Sequence, residues 1–442
     1  MIVVIYLPAA LLGAYVFRDP YAGTFLLLLA TFVVIYYALY PWFLRILSRP
    51  RLRLPLRSIG ELIDWKGWAW VSAAVFVLTI AIAALTVRQT PLAAALRGGS
   101  WLDIALARAD FLVNREGPEA LLRYLAMIVG RSILPFVVTY LYWSRHRLRH
   151  VALAALLLGY APSLEKASPI FAFFPIVVLR ALEGQWKSTL KHLACMFACI
   201  VLWTVLSVGA LHETARQASP GPGQPPAQQE IVKGRKVEID VASPHDSYHA
   251  YFASHIKGLH GYIQSFESRF VQHSYGLVNR IVWTPYITAY DWLKFHDVEL
   301  GGNLVLGRSI GVVSWLTGQP RVYLEQMVYQ FQFGASPGGA GASNTVFFVD
   351  AKLNFGWLGA IAYCVLFSFF AAIVFSSDNF VAKVASVTSF FTASLSPLTA
   401  TLLSGGLFFY LVIALLTRTT QTASSNQTGA DAPGARGDVH SA

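Results

Sequence analysis

Apolar segments recur from one end of the chain to the other, separated by short clusters of charged residues. The clearest is residues 356–375, twenty residues without a charge. As helix, at ~1.5 Å per residue, such a run crosses a ~30 Å hydrocarbon layer. By the same pattern residues 1–17, 21–44, 67–87, 123–143, 192–211, 384–398 and 401–416 read as membrane-crossing segments. Residues 151–180 differ, because two apolar arms flank Pro162, Glu165, Lys166 and Pro169. Proline removes a helix donor and clashes with the preceding turn, so this region predicts two short helices meeting at a polar tip. The expected fold class is all-α, a polytopic membrane helix bundle of about ten transmembrane helices.

The charged clusters assign sides. Arg45, Arg49, Arg51, Arg53, Arg57 and Lys66 fall in one short connection, and Arg145, Arg147 and Arg149 in another. Basic loops stay in the cytoplasm, and alternation from there places both termini in the cytoplasm as well. Residues 88–122 mix arginines with acids, which suits the outer side, and WLDIALARADFLV within them reads as an amphipathic interfacial helix. The largest extramembrane part is then a periplasmic or extracellular loop region, residues 212–343. It opens on the linker SPGPGQPPAQQ, continues through the strand-like run EIVKGRKVEIDV, and becomes rich in histidine and aromatics. Residues 272–295, interrupted by Arg280 and Pro285, read as an interfacial or partly inserted helix. The resulting division is an N-terminal bundle over 1–211, the outer loop region over 212–343, C-terminal spans over 344–417 and a disordered cytoplasmic tail over 418–442.

Composition narrows the class. Charged residues are 13% of the chain and hydrophobic ones 55%, against ~25% charged in soluble domains. The net charge of +11 is spread between apolar segments rather than gathered in a basic domain, which argues against a nucleic-acid partner. The three cysteines lie within apolar segments and read as packing residues. His245 and His249 are four apart, but no HExxH, CxxC or outer Asp-x-Asp pair accompanies them, so no metal and no cofactor is expected.

The polar residues that remain near the outer surface define the candidate chemistry. Arg131 lies about two turns inside an apolar segment, where a charge costs several kcal/mol unless it snorkels, pairs or faces a wet cavity. With Lys166, Arg280, Arg308 and Arg321 it makes a set of cations, and Glu165, Glu325 and Asp350 are the acids. Asn344, Asp350, Lys352 and Asn354 cluster just before the long apolar run, and Asp350 and Asn354, four apart, share a helix face. Cations at a membrane surface suit a lipid phosphate or pyrophosphate, since a guanidinium fork binds phosphate oxygens in pairs. Glycan transfer from a lipid pyrophosphate needs such cations for the departing charge and a carboxylate or histidine to activate the attacking hydroxyl.

At these residues the chain resembles a known family. SNTVFFVDAKLNFGWLGAI resembles the Asn…Asp-x-x-x-Asn-Phe-Gly…Gly signature of the bacterial O-antigen (oligosaccharide repeat unit) polymerases. NRIVWTPYITAYDWLKF resembles that family's Arg-x-x-x-x-Pro segment ending in aromatics, and the Lys166 tip its short polar break with a lysine. The resemblance extends from Arg131 to Gly359 and implies a GT-C-like membrane glycosyltransferase of the bacterial inner membrane. Such an enzyme joins undecaprenyl-pyrophosphate-linked repeat units on the periplasmic side, with the lipid-linked glycan as donor and acceptor and a chain-length regulator protein as partner. Carried over by position, Arg280 matches the loop arginine, and Asp350 and Asn354 the polar start of the helix. Arg308 departs from the pattern, with nine residues rather than ten before Gly318. The expected catalytic set is Arg280, Asp350, Arg131 and Glu325. Lys166, Glu165, Arg308, Arg321, Asn344, Asn354 and Tyr286 are the expected substrate contacts. An O-antigen ligase, which shares donor and architecture, and a lipid-linked glycan flippase or transporter are the alternatives.

Overall fold

A computed structural model describes residues 1–48, 65–99, 101–113, 115, 119–209, 283–333 and 342–416. Among these residues the regular structure is helical throughout, with no strand. The helices are α1 (Ile2–Tyr15), α2 (Ala22–Leu47), α3 (Trp65–Leu85), α4 (Pro91–Leu96), α5 (Trp101–Arg108), α6 (Ala120–Ile128), α7 (Leu134–Trp143), α8 (Arg149–Tyr160) and α9 (Ser168–Leu182). They continue as α10 (Trp186–Gly209), α11 (Thr284–Val298), α12 (Gly311–Thr317), α13 (Leu324–Phe333), α14 (Phe347–Phe375), α15 (Phe380–Ala385), α16 (Val387–Ala393), α17 (Leu398–Leu403) and α18 (Leu407–Leu416). Among the described residues four helices are long and apolar enough to cross a membrane: Ala22–Leu47, Leu121–Trp143, Trp186–Leu206 and Phe347–Phe375. Many large apolar side chains on them face outward, among them Val34, Tyr37, Leu202 and Leu358. A lipid surround accounts for that exposure, because lipid makes no demand that apolar groups be covered.

Among the described residues the bundle has a small apolar core around Ala94 and Ile104 and two large ones. One joins α1, α2, α11 and α14 through a ladder of rings, with Phe25, Phe32, Tyr286, Phe347, Phe348 and Phe367 in successive contact. The other joins α3, α6, α7, α8 and α9 around Phe76, Tyr160 and Phe173. Its close packing depends on glycine, since a Cβ on Gly159 would sit 2.2 Å from the Phe76 ring.

Two helices are broken within the bundle. The first break is the one expected from its prolines: α8 ends at Tyr160, a single tight turn spans Ala161–Ser163, and α9 starts at Ser168. The second lies inside α14. Gly356 has φ 68° and ψ −161°, a conformation foreign to helix. The rings of Phe347 and Phe367 nevertheless stack at 4.8 Å, and Phe32 touches both. In a straight helix twenty residues would separate those rings by ~30 Å. The segment is therefore a helical hairpin, its 347–355 arm folded back against its 356–375 arm. A Cβ on Gly359 would lie 2.8 Å from the Ala351 carbonyl oxygen, so glycine there lets the arms touch.

Of the region 272–295, expected as an interfacial or partly inserted helix, the described part belongs to α11, which packs into the bundle with Tyr286, Trp292 and Phe295 fully enclosed. The buried Asp291 of that helix accepts a hydrogen bond from Gln332 at 2.6 Å, which lowers the cost of enclosing it. The segments 384–398 and 401–416 were expected as a hairpin of two spans. Residues 380–416 instead form the four short helices α15 to α18, interrupted at Ser386, Pro397 and the Gly405–Gly406 pair. The amphipathic stretch 101–113 forms α5 and the π-helical turn Ala109–Val113. Arg108 donates to the carbonyls of Ser163 and Leu164, which pins it to the tip between α8 and α9.

Candidate functional site

The reversal at Gly356 creates the first half of the site. Ending the 347–355 arm leaves its last carbonyls without helical donors. The backbone N–H of Val305 takes Leu353 O at 3.1 Å, and that of Leu306 takes Asn354 O at 2.8 Å. Leu306 and Gly307 both have positive φ, which turns the chain sharply after these two bonds. This cap brings Arg308 and Ser309 over the reversal. The Ser309 hydroxyl donates to Asn354 Oδ1 at 2.8 Å, and Asn354 Nδ2 donates to Asp350 Oδ1 at 3.1 Å. Arg321 Nε donates to the Ser309 carbonyl, while its guanidinium lies over the Tyr323 ring at 4.8 Å. Val322 N–H closes the loop on Arg308 O.

The outcome is a buried carboxylate held by the Asn354 amide, which the Ser309 hydroxyl holds in turn, so that Asp350 is linked to the loop that carries Arg308 and Arg321. Asp350 and Asn354 are almost fully enclosed, Arg308 is half-buried and Arg321 exposed. Among the described residues neither arginine is in an ion pair. Glu325, at the start of α13, is close enough for its charge to act on Asp350, and its carbonyl accepts from Ser343 N–H at 2.8 Å. Of the expected residues, Asp350, Asn354, Arg308, Arg321 and Glu325 therefore gather here. Asn344 is exposed two residues before the arm's capping residue Val346. Tyr286 sits deeper, packed on Phe25 in the ring ladder, where Gly13 leaves room for its hydroxyl.

A second polar group forms at the other break. Arg131 lies in a wider π-turn, Val129–Ile133, between α6 and α7. Pro135, four residues on, has no N–H for the Arg131 carbonyl, which explains the local loss of α-helical bonding. Tyr160 donates to Gly130 O, and Tyr410 of α18 to Ser132 O at 3.1 Å, so two buried phenols satisfy carbonyls along this turn. The Arg131 guanidinium pairs with Glu165 and lies over the Phe171 ring at 5.3 Å. Glu165, expected with Lys166 as a substrate contact, meets Arg131 across the bundle. Lys166 is half-buried beside it.

Arg280, the 212–282 part of the outer loop with its linker, strand-like run and histidines, and the 418–442 tail lie outside the described residues. No group of His, Cys, Asp or Glu suited to a metal occurs among the described residues. Ser309, Tyr160 and Tyr410 were not singled out by the sequence. Only Pro135 gave a local signal, for the π-turn. By fold and composition the chain is a helical membrane protein with a polar cluster built around a broken helix. Comparison with protein-family models, curated proteins and solved structures finds no match to this chain.

Proposed function

We propose that the chain is a lipid-pyrophosphate-dependent glycosyltransferase, a polymerase that joins undecaprenyl-pyrophosphate-linked oligosaccharide repeat units outside the cytoplasm. The observation that carries this reading is a buried, oriented carboxylate, Asp350, linked through Asn354 and Ser309 to the loop that carries Arg308 and Arg321, which form no ion pair among the described residues. In this reading Asp350 accepts the proton of the attacking sugar hydroxyl, with Asn354 fixing its orientation and Glu325 nearby. Arg308 and Arg321 hold the departing pyrophosphate, whose negative charge grows as the glycosidic bond breaks. Arg280 keeps the role that the sequence resemblance gives it, and the exposed Asn344 contacts the glycan in this reading. Arg131, already neutralised by Glu165, serves to close the other break. About ten spans, cytoplasmic termini and an outer loop over 212–343 complete the proposed topology.

The test is a glycan gel of cells whose only polymerase is this chain. Asp350→Asn should remove the polymer ladder and leave single repeats, a loss of roughly 100-fold or more. Arg308→Lys combined with Arg321→Lys should shorten the ladder, because lysine lacks the paired donors. A normal ladder from Asp350→Asn would remove the carboxylate from the reaction. An O-antigen ligase would instead lose transfer of finished polymer to the lipid A core while ladders persist on the lipid carrier.

A flippase is the second reading, favoured by the two broken helices, since transporters build their sites from such breaks. It predicts that Asp350→Asn traps single repeats on the cytoplasmic leaflet, whereas the polymerase reading leaves them on the outer one.

A further inference from the structure

The end of the bundle opposite the α8–α9 tip carries a second concentration of charge that the reaction does not use. Four helix ends meet there: the last turns of α7 and α9 and the first turns of α8 and α10. At their centre is the Tyr142 ring, buried on α7. Arg149 lies over this ring at 5.6 Å and Arg180 at 5.6 Å. His150 packs edge-on at 5.5 Å and His192 at 5.4 Å. Tyr142 Oη and His150 Nδ1 share a hydrogen bond of 3.0 Å. Lys191 is near enough for its charge to act on both histidines. Burial, then the charges of Arg149, Lys191 and Arg180, push the His150 imidazole below its ordinary range.

Among the described residues Glu183 is the acid paired at this cluster, taken up by Arg180 at 2.5 Å. Arg149 and Lys191 are in no ion pair among the described residues. Arg180 is 4% exposed; its terminal nitrogens donate to Glu183, Gln185 and the Tyr142 carbonyl, and among the described residues its buried Nε has no hydrogen-bond partner. A guanidinium donor left dry and unpaired is costly unless an acceptor arrives. The surroundings say where the acceptor comes from. Trp143, Leu182, Trp186 and Leu190 are all exposed at this end, the side-chain types found at the boundary of a bilayer.

We propose that this cluster is a binding site for the phosphate of an anionic membrane lipid, seated between α8 and α10 with its acyl chains along the exposed leucines. Basic pockets between membrane helices bind acidic headgroups through this chemistry. The site is independent of the glycosyltransferase reading and holds whichever way the bundle is inserted.

The experiment is native mass spectrometry of the delipidated full chain in detergent, titrated with phosphatidylglycerol or with phosphatidylcholine. Phosphatidylglycerol should bind at roughly tenfold lower concentration than phosphatidylcholine. Arg149→Gln with Lys191→Gln, both at accessible positions, should remove that preference. Arg149→Lys should retain it, and Arg45→Gln, at another basic helix end, should leave it unchanged. Equal binding of the two lipids, or an undiminished preference in the double variant, would overturn the proposal. Displacement of the lipid by millimolar inorganic phosphate would equally overturn it, by showing a soluble ligand. If the double variant loses helical signal in circular dichroism, Lys191→Gln alone decides: half or more of the preference should go, and none lost counts against the site.

Discussion

The two broken helices solve one physical problem in opposite ways. Each interrupts a run of backbone hydrogen bonds inside a bundle, and each must satisfy the carbonyls it frees. The α8–α9 break is made by prolines and closed by side chains: Arg108 covers the tip carbonyls, and the Arg131–Glu165 pair cancels the charge. The α14 break is made by one glycine and closed by backbone, the N–H groups of Val305 and Leu306. Main chain does the capping there, while Arg308 Nε donates to the Val305 carbonyl and Arg321 Nε to that of Ser309. One break ends with its carboxylate, Glu165, in an ion pair with Arg131, and the other with Arg308 and Arg321 in no ion pair among the described residues. Charge available for a ligand follows from how a break is capped, and the presence of charged residues near it does not decide the matter.

The comparison is broken most severely at Gly356. A side chain there has room, since the nearest atom to a built Cβ is Leu304 at 3.6 Å. The penalty of Gly356→Ala is therefore conformational, about 1–3 kcal/mol for a backbone region that only glycine occupies. Its thermal midpoint should fall and the polymer ladder disappear together. A stable Gly356→Ala protein with full ladders would mean that the reversal is not needed. Glu165→Gln strikes the other break. It strands Arg131, but Glu165 is one-third exposed, so about 1–2 kcal/mol is expected rather than the 3–5 of a fully buried pair. Restoring most of that loss by adding Arg131→Gln would sharpen the case for a neutral, structural pair; no recovery would argue that Arg131 has another partner. Tyr410→Phe is milder, about 1 kcal/mol for the hydrogen bond to Ser132 O, read as a small drop in thermal midpoint with activity kept. The least disturbance should come from Arg321→Lys, which keeps the charge of an exposed side chain. Stability should move by less than about 0.5 kcal/mol, and only the ladder should respond.

Much of this was legible in the sequence, for identifiable reasons. Pro162 and Pro169 announced the first break because proline acts locally, whatever surrounds it. The shared face of Asp350 and Asn354 followed from their spacing of four. Gly356 marked only a boundary: it opens the charge-free run, where a glycine reads as the start of a span, and only packing against α2 reveals the fold-back. The Arg131–Glu165 pair joins residues 34 apart, and their own neighbourhoods pointed elsewhere. Ser309 was hidden for a related reason, since its part depends on where the 305–309 turn docks. The burial of α11 escaped because Asp291 looks like a surface residue until Gln332 is placed beside it.

The claim at the centre is that chemistry belongs to the glycine break and not to the proline break. It is tested most directly by adding purified lipid-pyrophosphate-linked repeat unit to proteoliposomes and measuring polymer formed by two variants side by side. Asp350→Asn should lose at least roughly 100-fold in rate, while Arg131→Gln with Glu165→Gln stays within a few-fold of the natural chain. Inactivity of the paired-charge variant alongside an active Asp350→Asn protein would contradict the account.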